Sequence, residues 1–183
     1  MIKFKLIKGF LIAIAGLFAM VTLVSLIMPS RVVTSESVVI NADPAKIEAA
    51  LFDFSQWKKW HPIFIRDSNI LQLSNPAYGV NATAEWGPSE KKTKLVITNI
   101  MAESVMITLS QAGENSVQNV LRILPVQDSK ELLVEWSAVT TLKWYPWEKF
   151  SGIFVSQITG PGYQAALNNL KTYLETDGAN QGN

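Results

Sequence analysis

Gly160-Pro161-Gly162-Tyr163-Gln164-Ala165-Ala166-Leu167-Asn168-Asn169-Leu170-Lys171-Thr172-Tyr173-Leu174-Glu175 is the stretch on which the fold turns. Tyr163, Ala166, Leu167, Leu170, Tyr173 and Leu174 recur at three-four spacing, while Gln164, Asn168, Lys171, Thr172 and Glu175 fall on the other side. This is an amphipathic helix. Pro161 suits its first turn, having no N–H to leave unpaired, and the flanking glycines let the chain turn into it. Burial of each large apolar side chain gives up to about 1.5–3 kcal/mol, so the stripe needs a covering surface. Upstream, Phe150, Ile153, Phe154 and Ile158 stand at helical spacing in 148–158, which reads as a separate helix leading into a break at Gly160.

The covering surface is a set of strands. Residues 31–40 alternate imperfectly, with Val32, Val38 and Ile40 apolar among Thr34, Glu36 and Ser37. Asp43 and Pro44 then mark a helix start, because a carboxylate accepts from the free N–H groups of a first turn and proline fits there. Ile47, Ala50 and Leu51 form the inner face of that short helix. Ser55 is placed to cap a second one through Trp57 and Trp60 that ends before Pro62. From residue 70 turn signals separate strands at 70–73, 81–86, 93–101, 104–111, 118–124 and 130–142. Loops this short imply antiparallel pairing, since parallel neighbours need a crossover of a dozen residues or more. Both phases of several strands are apolar. Taking Trp86, Leu95, Ile97, Ile107, Leu109, Leu121, Ile123, Val134 and Trp136 as inward leaves Glu85, Lys94, Arg122 and Glu135 in water. The opposite phase makes Glu85 and Glu135 buried acids with raised pKa.

Residues 9–28, GFLIAIAGLFAMVTLVSLIM, carry no charge and, at about 1.5 Å per residue, reach roughly the 30 Å of a bilayer core. They read as a transmembrane helix. A cleaved signal peptide has an apolar region of about 7–15 residues and a small-x-small site that this stretch lacks. Lys3, Lys5 and Lys8 in the stub 1–8 place the N-terminus in the cytoplasm by the positive-inside rule. The domain at 31–176 is then extracytoplasmic, periplasmic in a bacterium, and 177–183 reads as a disordered tail.

With 183 residues there is room for one domain beyond the span. The 16 basic and 15 acidic residues nearly cancel, which leaves no basic stripe for nucleic acid. No cysteine and one histidine exclude a thiolate or His-cluster metal site. No Gly-x-Ser-x-Gly elbow and no phosphate-cradling loop is present, so neither a serine hydrolase nor a nucleotide cofactor is expected.

The order strand, two short helices, six antiparallel strands, long helix is that of the α+β helix-grip fold. VVINADPAKIEAALFDFSQWKKW, LLVEWSAV and FSGIFVSQITGPGYQAALNNLKTYLE resemble, in order, the opening, the penultimate strand and the Gly-Pro helix of SRPBCC proteins, the START, birch-pollen allergen and polyketide cyclase superfamily. The hairpin after Trp86 departs from that pattern, with Pro88-Ser89-Glu90-Lys91-Lys92 where a Gly-rich turn is common. The resemblance implies a curved sheet of about seven strands around the last helix, and an apolar cavity between them for a lipid, polyketide or similar ligand.

Six tryptophans are many for this length. Core packing accounts for them singly; as cavity walls, large rigid rings with one polar N–H would fill space and orient a ligand. The candidate cavity set is Trp57, Trp60, Trp86, Ile97, Ile107, Leu109, Trp136, Phe154, Tyr163, Ala166, Leu167 and Leu170. Loops 57–64 and 144–147 would form the mouth, and Trp144 and Trp147 would alternatively rest at a membrane interface. His61 reads as a surface histidine. The reading is a membrane-anchored domain that binds an apolar small molecule or lipid without chemistry, with no metal and no cofactor. A polyketide cyclase-like enzyme using Asn99 and Tyr163 and a fully packed interaction module stay open as alternatives.

Overall fold

Prolines and acidic caps divide the chain. The computed structural model describes residues 2–179, with side chains from 7 to 176, and begins with α1 (Ile2–Ile27) and β1 (Arg31–Ile40). Asp43 accepts the Ala45 N–H at 2.8 Å and Pro44 occupies the first turn of α2 (Pro44–Phe52). The next two turns depart from expectation. Asp53, not Ser55, caps the single-turn α3 (Phe54–Trp57), accepting the Ser55 N–H at 2.7 Å. That helix does stop before Pro62, but already at Trp57 rather than beyond Trp60, and Pro62 opens a further helix, α4 (Pro62–Arg66), that was not expected. Proline serves either role, and here its fixed φ starts a turn.

Six more strands follow: β2 (Gln72–Leu73), β3 (Thr83–Trp86), β4 (Thr93–Met101), β5 (Ser104–Gln111), β6 (Val117–Pro125) and β7 (Leu132–Thr141). They form one antiparallel sheet with β1, ordered β1-β7-β6-β5-β4-β3-β2. Between β3 and β4 the chain turns at Gly87, whose φ of +96° an L side chain rarely adopts, into a 3-10 turn at Ser89–Lys91. The inward phase is as read from the charges. Trp86, Leu95, Ile97, Ile107, Leu121, Ile123, Val134 and Trp136 are buried and Leu109 is half-buried. On the outer face Glu85 pairs with Lys94 at 2.9 Å and Lys92 at 3.0 Å, and Arg122 reaches Glu135 at 3.7 Å.

The last helix differs from its sequence reading. α5 (Pro146–Ala179) is continuous for 34 residues with Pro161 inside it. An internal proline costs about 3 kcal/mol in lost hydrogen bonding and steric clash, and packing on β1 offsets it on both sides of Pro161. Before the proline, a Cβ on Gly152 would lie 2.3 Å from Leu142 Cδ1, and one on Gly160 would lie 2.7 Å from Glu36 Oε1, so both glycines permit close approach. The Thr34 and Thr159 hydroxyls are 3.2 Å apart. After it, Lys171 Nζ donates to the Val39 carbonyl at 2.9 Å, and Glu175 accepts the Asn41 N–H at 3.0 Å. Residues 177–179 of the expected tail are thus helical; the remainder lies outside the described residues.

Candidate functional site

Between sheet and α5 lies a cavity of about 390 Å³, in the lower part of the roughly 300–1,000 Å³ range of small-molecule sites. The sheet gives one side chain from each of five adjacent strands: Trp86, Leu95, Leu109, Asn119 and Trp136. The end of α3 gives Trp57, the turn after it His61, and the start of α4 Pro62 and Ile63. α5 contributes Ile158, Thr159, Gly162, Tyr163, Ala165 and Ala166. Small residues on the helix keep the space open; a Cβ on Gly162 would meet no atom within 4 Å. Ile158, Thr159, Gly162 and Ala165 are exposed while Trp57, Trp136 and Ala166 are buried, so the mouth lies along α5 opposite Pro62 and Ile63. A groove of similar size at Lys59, Trp60, Ile65 and Tyr173 lies on the outside of the helix layer, where Lys59 Nζ donates to the Tyr173 hydroxyl.

The indole N–H groups at the closed end are satisfied. Trp57 donates to the Leu51 carbonyl at 3.0 Å, Trp60 to the Ala50 carbonyl at 3.1 Å, and Trp136 to Asn119 Oδ1 at 2.9 Å. His61 is the exception. It is 8% exposed, contrary to the surface position expected for it, because aromatic rings enclose it on several sides. Its ring stacks on Trp57 at 5.0 Å, meets Trp60 and Phe64 edge-on, and lies 5.8 Å from Trp136. Nδ1 is buried without a hydrogen-bond partner. Burial lowers the imidazole pKa to about 3, so the ring is neutral at physiological pH. Burial likewise raises the Tyr163 pKa, which keeps the phenol protonated.

The lining therefore carries no ionised group, as none of the fifteen residues is Asp, Glu, Lys or Arg. An imidazole with a pKa near 3 is a weak base at pH 7, and no carboxylate lines the cavity to orient it. Among the described residues no three His, Asp or Glu side chains are grouped to hold a metal ion. This arrangement can enclose an uncharged apolar body and offer it a few neutral polar groups.

Of the twelve residues proposed from sequence, Trp57, Trp86, Leu109, Trp136, Tyr163 and Ala166 line the cavity. Trp60, Ile97, Ile107, Leu167 and Leu170 are buried in the surrounding core without lining it. Phe154 is misplaced: it is 54% exposed, on the α5 face turned away from β1. Asn99 also falls outside, because the register shifts between Ile97 and Asn99 and leaves it exposed. Loop 144–147 does not reach the mouth. Sequence reading missed Asn119, although it shares the inward phase of Leu121 and Ile123, and missed His61, although Trp57, Trp60 and Phe64 surround it in sequence.

At the other end of α5, Trp144 and Trp147 are exposed and sandwich Tyr145, whose ring stacks on that of Trp147 at 5.0 Å. The buried Lys149 ammonium holds the Met28 carbonyl and the Ser30 hydroxyl, tying the end of α1 to α5. Residues 9–20 of α1 are uncharged and exposed; Ile7–Ile27 is long and apolar enough to cross a membrane, a property it shares with signal sequences.

Residues 31–175 match the family described as polyketide cyclase/dehydrase and lipid transport. No curated protein matches the sequence. Solved structures share the fold at low identity. DynU16, a protein from the dynemicin biosynthetic locus, is 14% identical with a TM-score of 0.56 over 79% of this chain and 48% of its own, so this chain spans about half its length. Truncated norcoclaurine synthase from Thalictrum flavum is 14% identical, TM-score 0.56, over 78% of this chain and 92% of its own. The Aha1 dimer from Colwellia psychrerythraea is 19% identical, TM-score 0.52, over 79% and 96%.

Proposed function

The chain belongs to the polyketide cyclase/dehydrase and lipid transport family, and from that premise we propose that it is a membrane-anchored carrier or sensor of one uncharged, apolar small molecule. The single observation that carries this reading is the cavity of about 390 Å³, lined by aromatic and aliphatic side chains and by no ionised one. A buried charge is tolerated only when paired or hydrogen-bonded, so a ligand with a charge inside the cavity would find no counter-ion there. Size favours a single chain or a fused-ring skeleton over a two-chain lipid. α1 is the anchor in this reading, with the domain on the extracytoplasmic side.

Fold alone does not decide between binding and catalysis, since one structural neighbour is by its name a synthase. Binding without chemistry is favoured by a neutral His61 and the lack of any lining carboxylate. The open cavity also weighs against a fully packed interaction module.

The test is uptake of a neutral, polarity-sensitive naphthyl ketone by the full-length chain in mild detergent, followed by energy transfer from tryptophan. Wild type binds one equivalent. Ala166→Trp fills the cavity and Gly162→Leu blocks the mouth without a clash at its Cβ; each weakens uptake at least about tenfold, 1.4 kcal/mol. Unchanged uptake in a folded Gly162→Leu chain rejects the site.

A further inference from the structure

Trp147, Phe150, Phe154 and Ile158 follow one another at intervals of three, four and four residues, which at 100° per residue places them within an arc of about 80° on α5. They are 38–75% exposed, with Ile153 beside them at 55%. Lys149, Gly152 and Gly160, buried against β1 and the end of α1, occupy the opposite side of the helix. From Phe150 to Leu170 the helix carries no charged residue. A solvent-facing stripe of this kind is unusual on a soluble domain and marks an interaction surface.

Three observations identify what covers it. First, α1 packs on α5 through its last two turns, where Val21 and Thr22 are half-buried and Ser25 is fully buried. The start of α5 therefore lies level with the end of α1 rather than beyond it. Second, the Trp144-Tyr145-Trp147 cluster stands at that level, and aromatic rings of this kind concentrate at the membrane–water boundary. Third, the far end of the stripe, Ile158, is itself a wall of the cavity mouth. Trp147 to Ile158 is eleven residues, roughly 16 Å of helix.

We propose that the first half of α5 lies in the interface of the bilayer that holds α1, with Trp147, Phe150, Phe154 and Ile158 as its lipid-facing side, so that the cavity opens onto the membrane and receives its ligand from the lipid phase. This rests on reading α1 as a membrane span. Apolar surface buried in the interface supplies the attraction, as in helices that lie in the membrane plane, and the anchor keeps the stripe in place.

The chain has no cysteine, so single labels are unambiguous. Phe154→Cys, Ile158→Cys, Leu17→Cys in α1 and Lys130→Cys in the β6–β7 turn are each labelled with an environment-sensitive nitrobenzoxadiazole dye. The full chain is reconstituted in phosphatidylcholine vesicles carrying nitroxide-labelled lipid. Expected is blue-shifted emission and loss by lipid quenching at 154 and 158, as at 17, with no change at 130. Quenching at 17 together with water-like emission at 154 and 158 overturns the inference and leaves the anchor standing. Water-like emission at all four positions overturns both. Protection at 154 that disappears as the chain is diluted in lipid assigns the stripe to a second copy and also overturns it.

Discussion

The two halves of α5 carry the same apolar periodicity and use it in opposite ways. From Tyr163 onward the large residues Leu167, Leu170 and Leu174 face the core, and Lys171 and Glu175 stand outside as an ion pair 3.7 Å apart. Before Pro161 the large residues Phe150, Phe154 and Ile158 face out, and the buried side is made by Gly152 and Gly160. A three-four stripe shows that a helix has two faces, but not which of them the domain covers. Close approach of backbones selects glycine, and glycine leaves no mark in a hydropathy pattern.

One large effect expected from this contrast lies where the halves meet, at the cavity. His61 has a folded pKa of about 3 against about 6.5 in the unfolded chain, so between these values the unfolded state binds the extra proton. Stability from this group is complete above pH 6.5 and is lost as the pH falls towards 3. Denaturant unfolding in mild detergent should show about 3 kcal/mol lost between pH 7 and pH 4 beyond any loss in His61→Phe, in which this part of the slope disappears. Equal slopes in the two chains would place His61 in water.

Leu170→Ala in the core half should cost about 2–5 kcal/mol in the same measurement, since the side chain is fully buried. Phe154→Ala, the matching truncation in the other half, should stay within about 0.5 kcal/mol in detergent. A cost above 2 kcal/mol at Phe154 would mean that its ring is packed within the domain, and the contrast would fail. The smallest effect is expected for Glu175→Gln. It loses an exposed i,i+4 pair with Lys171 and weakens the hydrogen bond from Asn41, together about 0.5–1 kcal/mol, the ion-pair part of which 1 M salt should erase.

Much of the fold was legible because charge breaks the ambiguity of apolar strands. Glu85, Lys94, Arg122 and Glu135 set the phase, and the bounds of β1, β4 and β5 agree with the residue pattern. Of the cavity lining, Trp57, Trp86, Trp136 and Tyr163 were legible as bulky inward residues, whereas Trp60 belongs to the core beside it. The remainder was not, for separate reasons. Gly162 and Ala165 act by being small, and His61 is buried by rings that come together only when α3 and α4 fold over the sheet. Pro161 was misread because local propensity counts only its cost, whereas the contacts of α5 with β1 hold the helix through it.

Native mass spectrometry of the full-length chain released from detergent micelles, with analysis of an organic extract of the same sample, tests the central claim most directly. The account predicts one neutral apolar molecule per chain in wild type and its loss in Gly162→Leu. A bare chain mass in wild type, or an adduct retained undiminished by Gly162→Leu, would contradict it.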